Sequence, residues 1–84
     1  MTREEIVEIN PEALLCDGFD EAIIGMAERI NLGPVVAYDM SKMIDILMER
    51  DEMTYEDAVE YFDYNILGAW MGDYTPVYIS KPEF

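Results

Sequence analysis

Apolar positions recur along this chain with two different periods, and the helical one is the clearer. Met40, Met43, Ile44, Leu47 and Met48 stand at i, i+3, i+4, i+7 and i+8, the stripe with which a helix covers a core. Asp39 precedes them as an N-cap, and Arg50 suits the negative end of the same helix. Asp51 and Glu52 form a short connection. Thr54 then opens a second helix, with Asp57 in the capping-box position and Met53 placed to staple onto Ala58. Ala58, Tyr61, Phe62, Asn65 and Ile66 continue one face, and Gly68 ends it. So short a connection makes the two helices an antiparallel pair.

Strand-like alternation brackets this pair. Residues 75–79 alternate after the Gly72-Asp73 turn, and residues 13–16 read as a short strand entering the Asp17-Gly18 turn. Residues 22–30 admit two readings. Phe19, Ile23, Met26, Ala27 and Ile30 fit a helix stopped by Gly33-Pro34. Ile23-Ile24-Gly25, a turn at Asn31-Leu32-Gly33-Pro34 and then Val35-Val36-Ala37-Tyr38 fit a hairpin, the reading preferred here. Residues 1–10 are expected as a short helix with a Thr2–Glu5 capping box, closed by Pro11, or as a flexible arm. The expected fold is α+β: a small, mainly antiparallel sheet with the antiparallel helix pair on one face. Ile44, Leu47, Tyr61 and Phe62 should be buried where the pair meets the sheet.

Length limits the chain to one domain, residues 1–84, which buries only about 60% of its unfolded surface. Half of it is apolar, with seven Met, six Tyr, three Phe and one Trp, too rich for a disordered segment. Charge changes the picture more. Nineteen Asp and Glu face five Lys and Arg, a net charge of −14. The cations Arg3, Arg29, Lys42, Arg50 and Lys81 are scattered singly, which argues against direct nucleic-acid binding or attraction to an anionic membrane. No apolar run reaches the roughly 18 residues of a membrane span. The acidic N-terminus lacks the apolar core of a signal peptide. Cys16 is the only cysteine, so no internal disulfide or cysteine zinc site is expected, and the cytoplasm is the expected compartment.

Candidate chemistry is sparse. Without histidine, one chain holds no Ser-His or Cys-His nucleophile pair and no imidazole metal site. The glycines are isolated and form no phosphate cradle. No cofactor is expected. Asp17, Asp20 and Glu21 gather carboxylates that suit a hard cation, yet the alternating spacing of a calcium loop is missing and turn formation accounts for them. The Met-rich helix face reads as core rather than as an adaptable groove. Trp70, Tyr74 and Tyr78, in or near a turn, suit either a partner-binding hot spot or a cover for a small core. Glu56, Glu60 and Asp63 share one helical face. Asp45, Glu49 and Glu52 extend its charge, and no Lys or Arg lies between positions 51 and 80. B-DNA carries about 18 charges per 30 Å, so an acidic face of this kind suits DNA mimicry as well as plain solvation.

Asp17-Gly18-Phe19-Asp20, Ala22-Ile23-Ile24-Gly25 and Val36-Ala37-Tyr38-Asp39, followed by Ile46-Leu47-Met48, form a spaced pattern. Met53-Thr54-Tyr55-Glu56-Asp57-Ala58, Glu60-Tyr61-Phe62, Tyr64-Asn65, Gly68-Ala69-Trp70 and Thr75-Pro76-Val77 continue it. Over residues 11–79 the chain resembles a recurrent group of short, acidic, uncharacterised proteins encoded by tailed bacteriophages. In that group Gly often stands at the position of Ala27, which favours the strand reading of residues 22–30. The resemblance implies a phage context, hence the host cytoplasm, and transfers no catalytic residue. The expectation is a non-enzymatic interaction protein, with inhibition of a host nucleic-acid-binding or defence protein as its most concrete form. Glu52, Glu56, Glu60, Asp63, Trp70 and Tyr74 are the expected contacts with a basic partner. The alternatives are a self-assembling module, for which a homodimer is expected, and a carboxylate-based metal binder or enzyme completed between subunits.

Overall fold

A computed structural model describes residues 1–81, so the last three positions of the expected single domain, 82–84, lie outside the described residues. The N-terminal segment is a helix, α1 (Arg3–Ile9). Thr2 Oγ1 accepts the Glu5 N–H at 3.2 Å, and Glu5 Oε1 accepts the Thr2 N–H at 3.0 Å, completing the capping box. Ile6 is its one buried side chain. The buried Asn10 then pins the arm to the sheet. Its amide donates to the Pro34 carbonyl at 2.8 Å, and its Oδ1 accepts the Glu12 N–H at 3.1 Å.

Residues 13–16 form no strand, contrary to the pattern. Ala13, Leu15 and Cys16 pack on the core, as their apolarity requires. Their neighbourhood supplies no ladder. The Leu14 N–H donates to the Tyr74 carbonyl at 3.2 Å, and the Cys16 N–H to the Tyr38 hydroxyl at 2.7 Å. At the Asp17-Gly18 turn Gly18 takes a φ of +87°, and a Cβ there would strike the Arg50 guanidinium. A short 3-10 turn (Asp20–Ala22) leads into the sheet.

Residues 22–30 resolve as the hairpin. β1 (Ile23–Arg29) pairs antiparallel with β2 (Leu32–Asp39), with Met26 opposite Val36 and Ile23 opposite Tyr38. The turn falls earlier than its Gly-Pro signal indicates. It lies at Ile30-Asn31, where Asn31 adopts a φ of +63°, a conformation Asn tolerates better than most residues. Gly33 and Pro34 belong to β2, beside a register shift between Ala27 and Arg29. A proline is accommodated at such an irregularity because its missing N–H breaks no regular ladder.

Asp39 ends β2 and caps α2 (Met40–Arg50), accepting the Lys42 N–H at 3.2 Å. Thr54 caps α3 (Tyr55–Phe62) by accepting the Asp57 N–H at 3.2 Å. The two helices pack together. Beyond α3 the chain winds one wider, π-helical turn (Asp63–Leu67), closed by the Gly68 N–H on the Asp63 carbonyl at 3.1 Å. Gly68 keeps a right-handed φ of −78°. Glycine suits it for space, since a Cβ would sit 3.0 Å from the Asp63 carbonyl oxygen. β3 (Val77–Ile79) is shorter than the expected 75–79 and runs parallel to β2, giving the sheet order β1-β2-β3.

One cluster holds the fold together. Val36 and Tyr38 of β2 meet Met43, Ile44 and Leu47 of α2, Ala58 and Phe62 of α3, and Ile6, Phe19 and Ala22 from the N-terminal segment. Tyr78 joins from β3, its ring 5.3 Å from Phe62 edge-on and 6.1 Å from Tyr38 in a stack. Ile44, Leu47 and Phe62 are buried as expected, but Tyr61 is 41% exposed. The contact face of α3 is centred on Ala58 and Phe62, one turn apart, which leaves Tyr61 on its flank. Asn65, expected on the apolar side, is also exposed and donates to the Tyr61 carbonyl at 3.2 Å. The extra residue of the π-helical turn carries Ile66 rather than Asn65 back to the core.

Candidate protein-binding surface

A surface built on charge is defined first by which charges are already paired. Arg3 takes Asp20 at 2.8 Å and Asp17 at 3.2 Å. Lys81 takes Asp39 at 3.3 Å, and Arg50 takes Asp51 at 3.1 Å. Arg50 also stacks 4.9 Å from the Phe19 ring centre. Among the described residues Arg29 forms no ion pair. It donates to the Gly33 carbonyl through Nε at 3.2 Å and Nη2 at 2.7 Å, donates to the Asp73 carbonyl, and lies 5.9 Å from the Tyr74 ring centre. Four of the five cations therefore tie loops to the domain, and among the described residues no ion pair reaches α3.

These contacts shift the carboxylates involved. Hydrogen bonding to Arg3 holds Asp20 below the usual aspartate range, and the Thr2 N–H does the same for Glu5. Burial pushes Asp39 up, but the Lys42 N–H and the Lys81 ammonium outweigh it and leave it lowered.

The outer face of α3 is arranged otherwise. Glu56, Glu60 and Asp63, grouped on one face by helical spacing, are all exposed and line one groove of about 450 Å³ with Tyr55, Val59 and Tyr64. A second groove of about 410 Å³ shares Glu60 and Tyr64 and adds Met53, Asp57, Tyr61 and Asn65. Tyr55 and Tyr64 are 63% and 77% exposed. The face thus alternates carboxylates with phenol rings, a chemistry that receives guanidinium and ammonium groups by charge-assisted hydrogen bonds and by cation–π contact. The carboxylates were legible in the sequence as a stripe. The tyrosines were not singled out, although Tyr64 follows Glu60 by four residues, and Tyr61 was assigned to the core.

The other expected contacts lie elsewhere. Glu52 is exposed in the α2–α3 connection with a left-handed φ of +54°. Trp70 is 73% exposed beside β3 and lines a different groove, with Leu67, Pro76 and Val77. Tyr74 is half-buried and already engaged. Its ring faces Arg29, and the neighbouring Glu12 carboxylate raises its hydroxyl above the ordinary tyrosine value. Trp70 and Tyr74 therefore do not extend the α3 face.

Asp17 and Asp20 converge on Arg3, not on a vacant centre, and Glu21 lines a depression of about 500 Å³ with Asp20, Glu49 and Arg50. Among the described residues no three Asp, Glu, Cys or His side chains are grouped so as to hold a metal ion. Tyr38 and Tyr78 form a buried polar seam with Cys16, whose sulfur lies 3.5 Å from the Tyr78 hydroxyl. Burial pushes the Tyr38 hydroxyl up to about 12, and burial together with the Cys16 thiol raises Tyr78. Both phenols stay protonated at neutral pH and act as structural hydrogen-bonding groups. No helix among the described residues is long and apolar enough to cross a membrane. In comparisons with known proteins, no family model, no curated protein and no solved structure matches the chain.

Proposed function

We propose that this chain is a non-enzymatic binding protein that takes a basic protein partner on the outer face of α3. The observation that carries the reading is the run of residues 55–64. There Glu56, Glu60 and Asp63 alternate with the exposed rings of Tyr55, Tyr61 and Tyr64, and no ion pair among the described residues neutralises the carboxylates. Such a face attracts Lys- and Arg-bearing surfaces and repels phosphate, which speaks against direct binding to nucleic acid or an anionic membrane. Combined with the resemblance to phage-encoded proteins, it supports an inhibitor acting in the host cytoplasm on a nucleic-acid-binding or defence protein. The carboxylates would then stand where DNA phosphates otherwise bind.

The test uses a basic host protein retained by the immobilised chain as titrant against wild type and the triple variant Glu56→Gln, Glu60→Gln, Asp63→Asn. Three rim charges at roughly 0.5 kcal/mol each predict about tenfold weaker binding at low salt. The loss should appear mainly as slower association, with a shallower dependence on salt. Folding should be unchanged or slightly improved, since like charges at i, i+4 cost about 0.2–0.5 kcal/mol per pair. Equal affinities and equal salt slopes would remove the reading.

A further inference from the structure

We propose that two copies of this chain associate about a two-fold axis, with Trp70 of each entering the groove beside β3 of the other. Residues 64–72 carry no charged side chain, in a chain of which 29% is charged. Three of them project apolar surface: Trp70 is 73% exposed, Met71 56% and Leu67 53%. β3 is the outermost strand of the sheet on this side. The adjoining groove of about 370 Å³ is walled by Leu67, Ala69, Pro76 and Val77, with Trp70 on one side and Arg29 at its polar wall.

Charge selects the occupant. A basic partner gains nothing at an uncharged patch and is drawn to α3 instead. A second copy carrying −14 is repelled at most of the surface and can approach closely only where charge is absent. The patch is also self-complementary. It holds both a projecting indole and a concavity, which is what an isologous contact requires, because each copy must offer both halves. Arg29, held by the Gly33 and Asp73 carbonyls and lying 5.9 Å from the Tyr74 ring centre, fixes the polar wall of the groove. Tryptophan is among the residues enriched at interface hot spots, which lie in well-packed, desolvated pockets.

This association has the opposite salt response to binding on α3, so the two fail separately. Sedimentation equilibrium of the full chain from micromolar to millimolar concentration should show monomer passing to dimer. The transition should move to lower concentration at high salt, where screening weakens the mutual repulsion. Trp70 is the only tryptophan, so its emission should shift to the blue along the same curve. Trp70→Asp, at an exposed site that leaves the core intact, should raise the dissociation constant by about thirtyfold or more, as loss of an interface anchor does. Val77→Lys, on the groove side, should act in the same direction, and Trp70→Phe should retain most of the association. Circular dichroism establishes that each variant is folded. A wild-type chain that stays monomeric at millimolar concentration in high salt overturns the proposal. So does a dimer that forms without a shift in Trp70 emission, or that survives Trp70→Asp unchanged.

Discussion

The N-terminal segment and the α3 region carry the same ingredients, carboxylates beside aromatic rings, and use them in opposite ways. Around α1 and the turn that follows, Asp17 and Asp20 are held by Arg3, and Phe19 is buried beneath Arg50. Along α3, Glu56, Glu60 and Asp63 form no ion pair among the described residues, and Tyr55, Tyr61 and Tyr64 face solvent. Composition does not separate the two regions. Pairing does: where a cation is present the acidic side chains fasten the chain to itself, and where none is present they are left to whatever arrives from outside.

The strongest way to test that division is to compare two adjacent aromatics of α3. Phe62 is fully buried and Tyr61 is not, so Phe62→Ala should cost about 3–5 kcal/mol through transfer and cavity terms. Tyr61→Ala should stay within about 1 kcal/mol, as surface changes usually do. Urea unfolding of both variants reads the contrast, and equal losses would mean that the register of α3 is wrong. Next in size is Asn10→Ala, which removes the amide from the Pro34 carbonyl and the acceptor from the Glu12 N–H. A loss of about 1–3 kcal/mol is expected from groups left unpaired at a buried site, with faster amide exchange near Glu12. A variant as stable as wild type would mean that the N-terminal segment is not fastened there.

The smallest effect concerns acid. Asp20 is lowered in the folded chain by Arg3, so its contribution is present above the unfolded aspartate value of about 3.9 and is lost as pH falls through the lower folded value. Asp20→Asn should therefore leave wild type ahead near neutral pH, with the two stabilities converging as pH falls through that lowered value. Thermal melts across that range check this, and parallel curves for the two chains would mean that the Arg3 contact does not act on Asp20.

Much of the local structure was legible because it depends on neighbours in the chain. Thr2 with Glu5, Asp39 with Lys42 and Thr54 with Asp57 each satisfy helix N–H groups within one turn, and all three caps form as their spacing predicts. The stripe of α2 needs only a helical period to define its buried face, and Met43, Ile44 and Leu47 occupy it. The carboxylate stripe of α3 is legible for the same reason. Net charge and the absence of histidine are likewise properties of the sequence alone, and they restrict the chemistry whatever the fold.

Other features depended on contacts between distant parts of the chain. Residues 13–16 have a strand's apolarity but no strand beside them, since their N–H groups are taken by Tyr74 and Tyr38, some sixty and twenty residues away. The hairpin turn lies at Ile30-Asn31, where Asn31 takes the left-handed φ, and Gly33-Pro34 sits inside β2 with the Pro34 carbonyl bonded by Asn10 from the N-terminal segment. Tyr61 left the core once Ala58 and Phe62 had filled the contact face of α3, and the π-helical turn then set which later residue returned. Which carboxylates stay unpaired was decided in the same way. A sequence states how many cations there are, but only the folded chain determines that Arg3 reaches Asp20, that Arg29 is spent on backbone carbonyls, and that among the described residues no ion pair forms on α3. Caps and stripes are settled by interactions within a few residues, whereas pairing and exposure follow from packing across the whole domain, where one side chain's place excludes another's.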